Sequence, residues 1–230
     1  MSSTQSRVVV PADLLIALSF GTGATDAFAF LALQGVFSAN MTGNLVLVGL
    51  YDRPGYREIL AGSAFAVLAF AAALWAAFAL TRRFSAYRAG LSCLAATTLF
   101  QAAVAGFWIW SAARPGHAET FGLIALSCIA MASQTAGVRR LGADRSISTT
   151  FATGTLTGLV QDLADGIGGE RRLRLLIIAA LPLGALAGAA CMDAAPAAAP
   201  LIPALLIIGV VARLVGFTSR QRSASRICGT

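Results

Sequence analysis

A chain of 230 residues with 57% hydrophobic and 12% charged residues and a mean hydropathy of +0.77 lies above the roughly 45–50% apolar share of soluble domains, which excludes a soluble globule and predicts an integral membrane protein. The net charge of +7 comes from 17 basic residues, all Arg. They fall between apolar runs, where they act as orientation signals, so the charge argues for a bilayer rather than for nucleic acid.

Six apolar runs are long enough to cross the roughly 30 Å hydrocarbon layer at about 1.5 Å per residue. The first, Leu14–Phe37, has only Arg7 ahead of it and no convincing small-residue cleavage site, so it reads as a retained span. It carries Asp26, an acid deep in a predicted span, with Ser19, Thr22 and Gly23 on the same helical side. A carboxylate at that depth is costly unless it is paired, wet or protonated. Asp26 is therefore the candidate for taking up a proton or coordinating a cation; the structural alternative is a carboxyl group that caps backbone donors at a break near Gly21 and Gly23.

A polar interruption follows, Phe37-Ser38-Ala39-Asn40-Met41-Thr42-Gly43-Asn44-Leu45, and a second lies at Thr149-Thr150-Phe151-Ala152-Thr153-Gly154-Thr155-Leu156. Non-helical backbone survives in a bilayer only when buried in protein or lining a wet cavity, so a pair of such breaks points to a shared internal site. Thr42 and Thr153 are candidate helix N-caps, each ahead of a Gly. The helix starts would present unpaired N–H groups to a small polar or anionic solute. Asn40, Thr42, Gly43 and Asn44 of the first break, and Thr150, Thr153, Gly154, Thr155 and Thr157 of the second, are the candidate solute-binding residues. The segments after the breaks, Ala39–Leu50 and Thr150–Leu163, span only about 18–21 Å as helices, which makes them re-entrant or broken rather than full crossings.

The remaining runs are Ile59–Leu80, Ala89–Ser111, Thr120–Gly137, Leu173–Met192 and Leu201–Phe217. Gln101 in the third reads as an interhelical hydrogen bonder. Gln134 near the end of the fourth is either that or a neutral counterpart of Asp26 in a solute site. Trp75, Trp108 and Trp110 read as apolar or interfacial residues, the last two at the outer boundary. His117 reads as a solvated loop residue beside Pro115-Gly116, and Gly184 with Gly188 forms a small-residue packing pair whose face is a candidate homodimer contact. Cys93, Cys128, Cys191 and Cys228 are scattered without metal-ligand spacing; the first three are expected to be buried. No metal site or cofactor is expected.

With six crossings and both termini inside, Arg7, Arg82, Arg83, Arg88, Arg139, Arg140, Arg145, Arg171, Arg172, Arg174, Arg213, Arg220, Arg222 and Arg226 all face the cytoplasm; Arg53, Arg57 and Arg114 lie outside. Letting the short segments cross as well gives a weaker asymmetry. Thr42 and Thr153 are 111 residues apart, and the same offset lays the second and third runs over the fifth and sixth. Each half, about 12–111 and 119–217, holds three crossings. The second copy must then enter from the opposite face, as an inverted repeat. The fold class is all-α, one membrane domain over 1–230, ending in a Ser/Arg-rich tail over 218–230 that is expected to be disordered and cytoplasmic.

Signatures of soluble enzymes are missing: the sequence has no P-loop, GxSxG, HExxH or dinucleotide fingerprint. The reading is therefore a small-solute transporter or channel, proton- or cation-coupled through Asp26. The alternative is a non-transporting scaffold or sensor that packs against a partner protein.

The stretch Asp26-Ala27-Phe28 … Gly35-Val36-Phe37-Ser38-Ala39-Asn40-Met41-Thr42-Gly43-Asn44-Leu45-Val46-Leu47-Val48-Gly49 resembles the YoaK family of bacterial inner-membrane proteins. The second half is similar through Gln134, Arg139 and Thr149-Thr150 … Thr153-Gly154-Thr155-Leu156, with Thr135 where the family pattern has Asn. The resemblance covers essentially the whole chain. It implies a bacterial inner-membrane location and supplies no substrate.

Overall fold

The computed structural model describes residues 10–52, 54–142, 152–166 and 171–227, the last segment as backbone alone beyond residue 216. The element order is α1 (Ala12–Ala32), α2 (Met41–Gly49), α3 (Tyr56–Thr81), α4 (Ala86–Trp110), α5 (His117–Arg140), α6 (Ala152–Ala164), α7 (Arg171–Ala194), a 3-10 turn at Pro196–Ala198, and α8 (Leu201–Ile227). Among the described residues six helices, α1, α3, α4, α5, α7 and α8, are long and apolar enough to cross a membrane. The protein is an all-α, multi-pass membrane protein. α2 and α6 have 9 and 13 residues, about 14 and 20 Å of helix, too short to cross.

Two boundaries differ from the sequence reading. The first span stops at Ala32 because Gln34 (φ 63°) and Gly35 (φ 72°) both adopt left-handed backbone, and a side-chain-bearing residue there cannot continue a right-handed helix. The chain then doubles back. At the other end α8 continues to Ile227 where disorder is expected from 218; Arg, Gln and Ala are good helix formers, and neither Gly nor Pro intervenes before Gly229.

The packing is organised around α1 and α5. α1 lies mainly on α7 and also on α8; α5 lies on α4 and α3; α2 rests on α3 and α6 on α7. The α1–α7 crossing is close because its contact points lack side chains. A Cβ on Gly184 would run into the Phe20 carbonyl, one on Gly188 would press on the Ala24 backbone, and one on Gly23 would strike Leu181. In lipid, helices associate through such backbone approach rather than through the hydrophobic effect. The Gly184/Gly188 face is thus taken up inside the protomer, which removes it as the candidate homodimer contact.

Two apolar clusters fill the bundle, one around Phe28, Leu33, Phe70, Trp108, Leu123 and Met131, the other around Leu14, Leu18, Leu94, Val138, Ile207 and Leu214. Between them α1, α4 and α5 each contribute buried polar side chains: Thr22 and Thr25, Thr97 and Gln101, Ser133 and Gln134. Thr22, Thr25, Thr97, Gln101 and Gln134 bond one another and their own helices. Gln134 Nε2 donates to Thr22 Oγ1 and Gln101 Nε2 to Thr25 Oγ1, both at 2.9 Å. Thr22, Thr25 and Thr97 hydroxyls donate to carbonyls one turn back. Gln101 therefore has the structural role expected of it.

The tryptophans divide. Trp75 and Trp110 are exposed. Trp108 is buried instead of lying in an interfacial belt: its ring meets Phe28 edge-on and its Nε1 donates to the Pro196 carbonyl. Cys93 and Cys128 are buried as expected, whereas Cys191 is only half-buried near the end of α7; Cys228 lies outside the described residues. His117 is exposed, as the first residue of α5, with its ring against Phe121.

Candidate functional site

The first polar break is built around Asp26. After the left-handed turn at Gln34-Gly35 the chain returns beside α1, where Asp26 Oδ1 accepts the backbone N–H groups of Ser38 at 2.8 Å and Ala39 at 2.7 Å. Asp26 sits six residues before the end of α1, roughly 9 Å of helix. The carboxylate thus pulls the start of α2 down alongside the span. Hydrogen bonds to a charged acceptor are worth about 1.5–3 kcal/mol each, so this tether is a principal stabiliser of the break.

Asn40, rather than Thr42, is the N-cap of α2: its Oδ1 accepts the Gly43 N–H at 3.1 Å. Asn44 lies one turn into α2, fully buried. It clips the break to the helix, accepting from Phe37 N–H at 2.9 Å and donating to the Phe37 carbonyl at 2.7 Å. That bonding pattern makes Asn44 a structural residue and removes it from the solute site.

The polar stripe expected along α1 is divided between two faces. Ser19 Oγ donates across to the Ile177 carbonyl of α7 at 2.8 Å. This is one residue ahead of the carbonyl that Pro182 leaves without its helical donor. Thr22 faces Gln134 on the opposite side. Gln134 is therefore an interhelical bonder, away from the chamber that Asp26 faces.

Asp26, Asn40, Thr42 and Gly43 line a cavity of about 910 Å³, together with Ala152 and Thr153 at the start of α6. The starts of both short helices thus open onto one chamber, with α7 from Leu181 to Ala189 as its other wall. Of the second-break candidates among the described residues, only Thr153 lines it, as the second residue of α6 rather than its cap. Gly154 is exposed, Thr155 is buried, and the Thr157 hydroxyl donates to the Thr153 carbonyl at 2.9 Å; none of the three lines the cavity. Thr150 lies outside the described residues. Among the described residues no group of three or more His, Cys, Asp or Glu side chains gathers in a metal-ligand arrangement.

The wall residues of α7 escape a reading based on polar letters, since Leu181, Ala185, Leu186 and Ala189 resemble any lipid-facing segment. Pro182 was the legible signal there, because a Pro inside an apolar run marks a discontinuity of the kind that lines sites in membrane proteins. α6 itself is held by a buried ion pair between Arg174 Nε and Asp162 Oδ2 at 3.1 Å. Arg171 adds a bond to the Asp162 carbonyl at 2.7 Å. The Arg174 guanidinium lies over Gly158, where a Cβ would collide with it.

The family model described as "Protein of unknown function (DUF1275)" matches residues 14–213. The chain is similar to the UPF0700 transmembrane protein YoaK of Bacillus subtilis (strain 168), at 34% identity over 157 residues. That alignment spans 66% of each chain, a little under two thirds of the relative's length. No solved structure matches.

Proposed function

The chain belongs to the DUF1275 family, and on that premise we propose that it is a small-solute transporter or channel of the bacterial inner membrane whose site is the chamber between α2 and α6, coupled to a proton or cation through Asp26. The single observation that carries this reading is the convergence of Asp26, Asn40, Thr42 and Thr153 on one cavity of about 910 Å³, from segments more than a hundred residues apart. A chamber at that depth whose described lining holds one carboxylate and three neutral polar side chains has the composition of a binding site. It supports binding and translocation in preference to catalysis, since the described lining offers no nucleophile–base pair.

An inverted repeat accounts for the packing. Exchanging α1–α4 with α5–α8 turns α1 on α7 into α5 on α3, α2 on α3 into α6 on α7, and α1 on α8 into α5 on α4, and all six pairings are present. Such repeats place the site at their interface and allow it to face either side in turn. Termini on the cytoplasmic side follow from the arginine distribution.

The bonds from Ser38 and Ala39 to Asp26 favour a second reading, a scaffold or sensor in which the carboxylate is purely structural and the chamber receives part of a partner. Uptake by proteoliposomes separates the two. The probes are a radiolabelled alkylamine, a quaternary ammonium, an amino acid, a carboxylate and a sugar. The transport reading predicts saturable uptake of at least one, reduced about tenfold or more in Asp26→Asn and in Thr42→Val, a change of about 1.4 kcal/mol. Folded protein that moves none of the five, or uptake unchanged in both variants, contradicts it.

A further inference from the structure

We propose that the chamber receives a lipophilic organic cation that enters sideways from the bilayer, its apolar body against α1 and α7 and its positive group on the Asp26 carboxylate. The proposal rests on the chamber being the solute site and narrows the solute to one chemical class.

The first observation is where the chamber opens. Phe30, Leu31, Val46 and Leu186 line it, yet their side chains are 40%, 55%, 57% and 66% exposed. Phe30, Leu31 and Leu186 belong to spans, and Val46 belongs to α2, whose start is bonded to Asp26 six residues inside α1. At that depth an exposed side chain meets lipid, so the mouth between α1, α2 and α7 faces acyl chains. A solute using this mouth must already be dissolved in the membrane.

The second observation is the chemistry of the lining. Asp26 is the only ionisable side chain on the described wall, and Ala27, Leu181, Pro182, Ala185 and Ala189 offer no side-chain hydrogen bonds. A strongly hydrated ion or a sugar would lose more water partners there than the side chains of Asn40, Thr42 and Thr153 can replace, at a cost of kilocalories per unreplaced polar group. An anion fares worse. The amides ahead of α2 already hold Asp26, so an incoming negative group would meet the carboxylate instead of free donors. An apolar cation loses little hydration, finds dispersion contacts on the wall, and pairs with a charge in a site of low dielectric. The cavity, about 910 Å³, has the volume of a drug-sized ligand pocket. Asp26 then holds either the cation or a proton, and this competition would couple their movements in opposite directions.

The test uses the full-length purified protein and three probes in radiolabel-binding assays: tetraphenylphosphonium, its near-isosteric anion tetraphenylborate, and tetramethylammonium, which has the charge without the apolar body. The expected result is saturable phosphonium binding, with no saturable borate binding and at least about tenfold weaker binding of tetramethylammonium. Asp26→Asn keeps an oxygen for the Ser38 and Ala39 amides while removing the charge, and should weaken phosphonium binding about tenfold or more. Leu186→Trp at the exposed mouth fills the chamber without touching Asp26 and should weaken it as well. Borate binding as tightly as phosphonium, phosphonium binding indifferent to both substitutions, or no saturable phosphonium binding by folded protein would each overturn the proposal. Phosphonium binding without proteoliposome uptake defeats the transport reading and leaves the ligand class standing. Uptake of a hydrophilic solute without phosphonium binding does the reverse.

Discussion

Asp26 and Ala39 are joined across thirteen residues by a 2.7 Å hydrogen bond from the Ala39 amide to Asp26 Oδ1, and this contact fixes where α2 begins. A side chain that is costly in lipid is retained because it holds a break open beside the chamber; the same carboxyl group is both tether and wall.

Separating those two roles is a matter of which atom is removed. Asp26→Ala deletes the acceptor and leaves the Ser38 and Ala39 amides without their partner, so thermal unfolding of the detergent-purified protein should show a loss of about 2 kcal/mol or more. Asp26→Asn keeps an acceptor oxygen and should cost clearly less. Equal losses in the two variants would mean that the charge, and not the bond, holds the break.

Asn44 and Thr42 should behave in opposite ways although they are two residues apart. Asn44→Ala removes a buried amide that bonds both the N–H and the carbonyl of Phe37, and is expected to destabilise by about 1–3 kcal/mol. Thr42→Val changes a cavity-lining hydroxyl that makes no bond seen among the described residues, so it should leave melting temperature within a degree or two while lowering solute uptake. Melting curves and uptake measured on both variants give the comparison.

The glycines divide likewise. Gly184→Ala puts a Cβ into the Phe20 carbonyl and must push α1 and α7 apart, so it should lower stability by at least about 1–3 kcal/mol, the range for overpacked cores. Gly154→Ala meets nothing within 4 Å on an exposed helical face, and should stabilise α6 by up to about 1 kcal/mol. A destabilising Gly154→Ala would show that this glycine has a packing role that its surroundings do not suggest.

The span count, the shortness of α2 and α6, and the position of the first break were legible in the sequence because each leaves a coarse mark: run length, or a cluster of polar letters in oily surroundings. The assignments within the breaks were less legible. Asn40, Thr42, Gly43 and Asn44 fall within five consecutive residues, yet three line the chamber while Asn44 turns to Phe37, and only the path of the backbone decides which way a side chain faces. Gln134 looked equally suited to a solute and to a neighbouring helix; the Thr22 hydroxyl settles its partner at 2.9 Å. The apolar wall on α7 carried no signal beyond Pro182, since a leucine facing a ligand and one facing lipid are the same letter.

The Arg174–Asp162 pair should act as the clasp of α6. Both side chains are largely buried, so Arg174→Met takes away the guanidinium that faces the Asp162 carboxylate, at an expected cost of about 3 kcal/mol. A double-mutant cycle with Arg174→Met and Asp162→Leu should give a double variant less impaired than the sum of the singles. Strict additivity would show that the two side chains do not act as a pair.

A common site requires that the two interruptions share one chamber, and proximity of Thr42 and Thr153 reads that most directly. With the four native cysteines replaced by Ala, Thr42→Cys and Thr153→Cys combined in one chain should be bridged within the protomer by a short bifunctional thiol reagent in native membranes, while Thr42→Cys with Thr157→Cys should not. Absent bridging of the Thr42→Cys and Thr153→Cys pair, in protein that folds and reacts at each single cysteine, would place the breaks apart and contradict the common site.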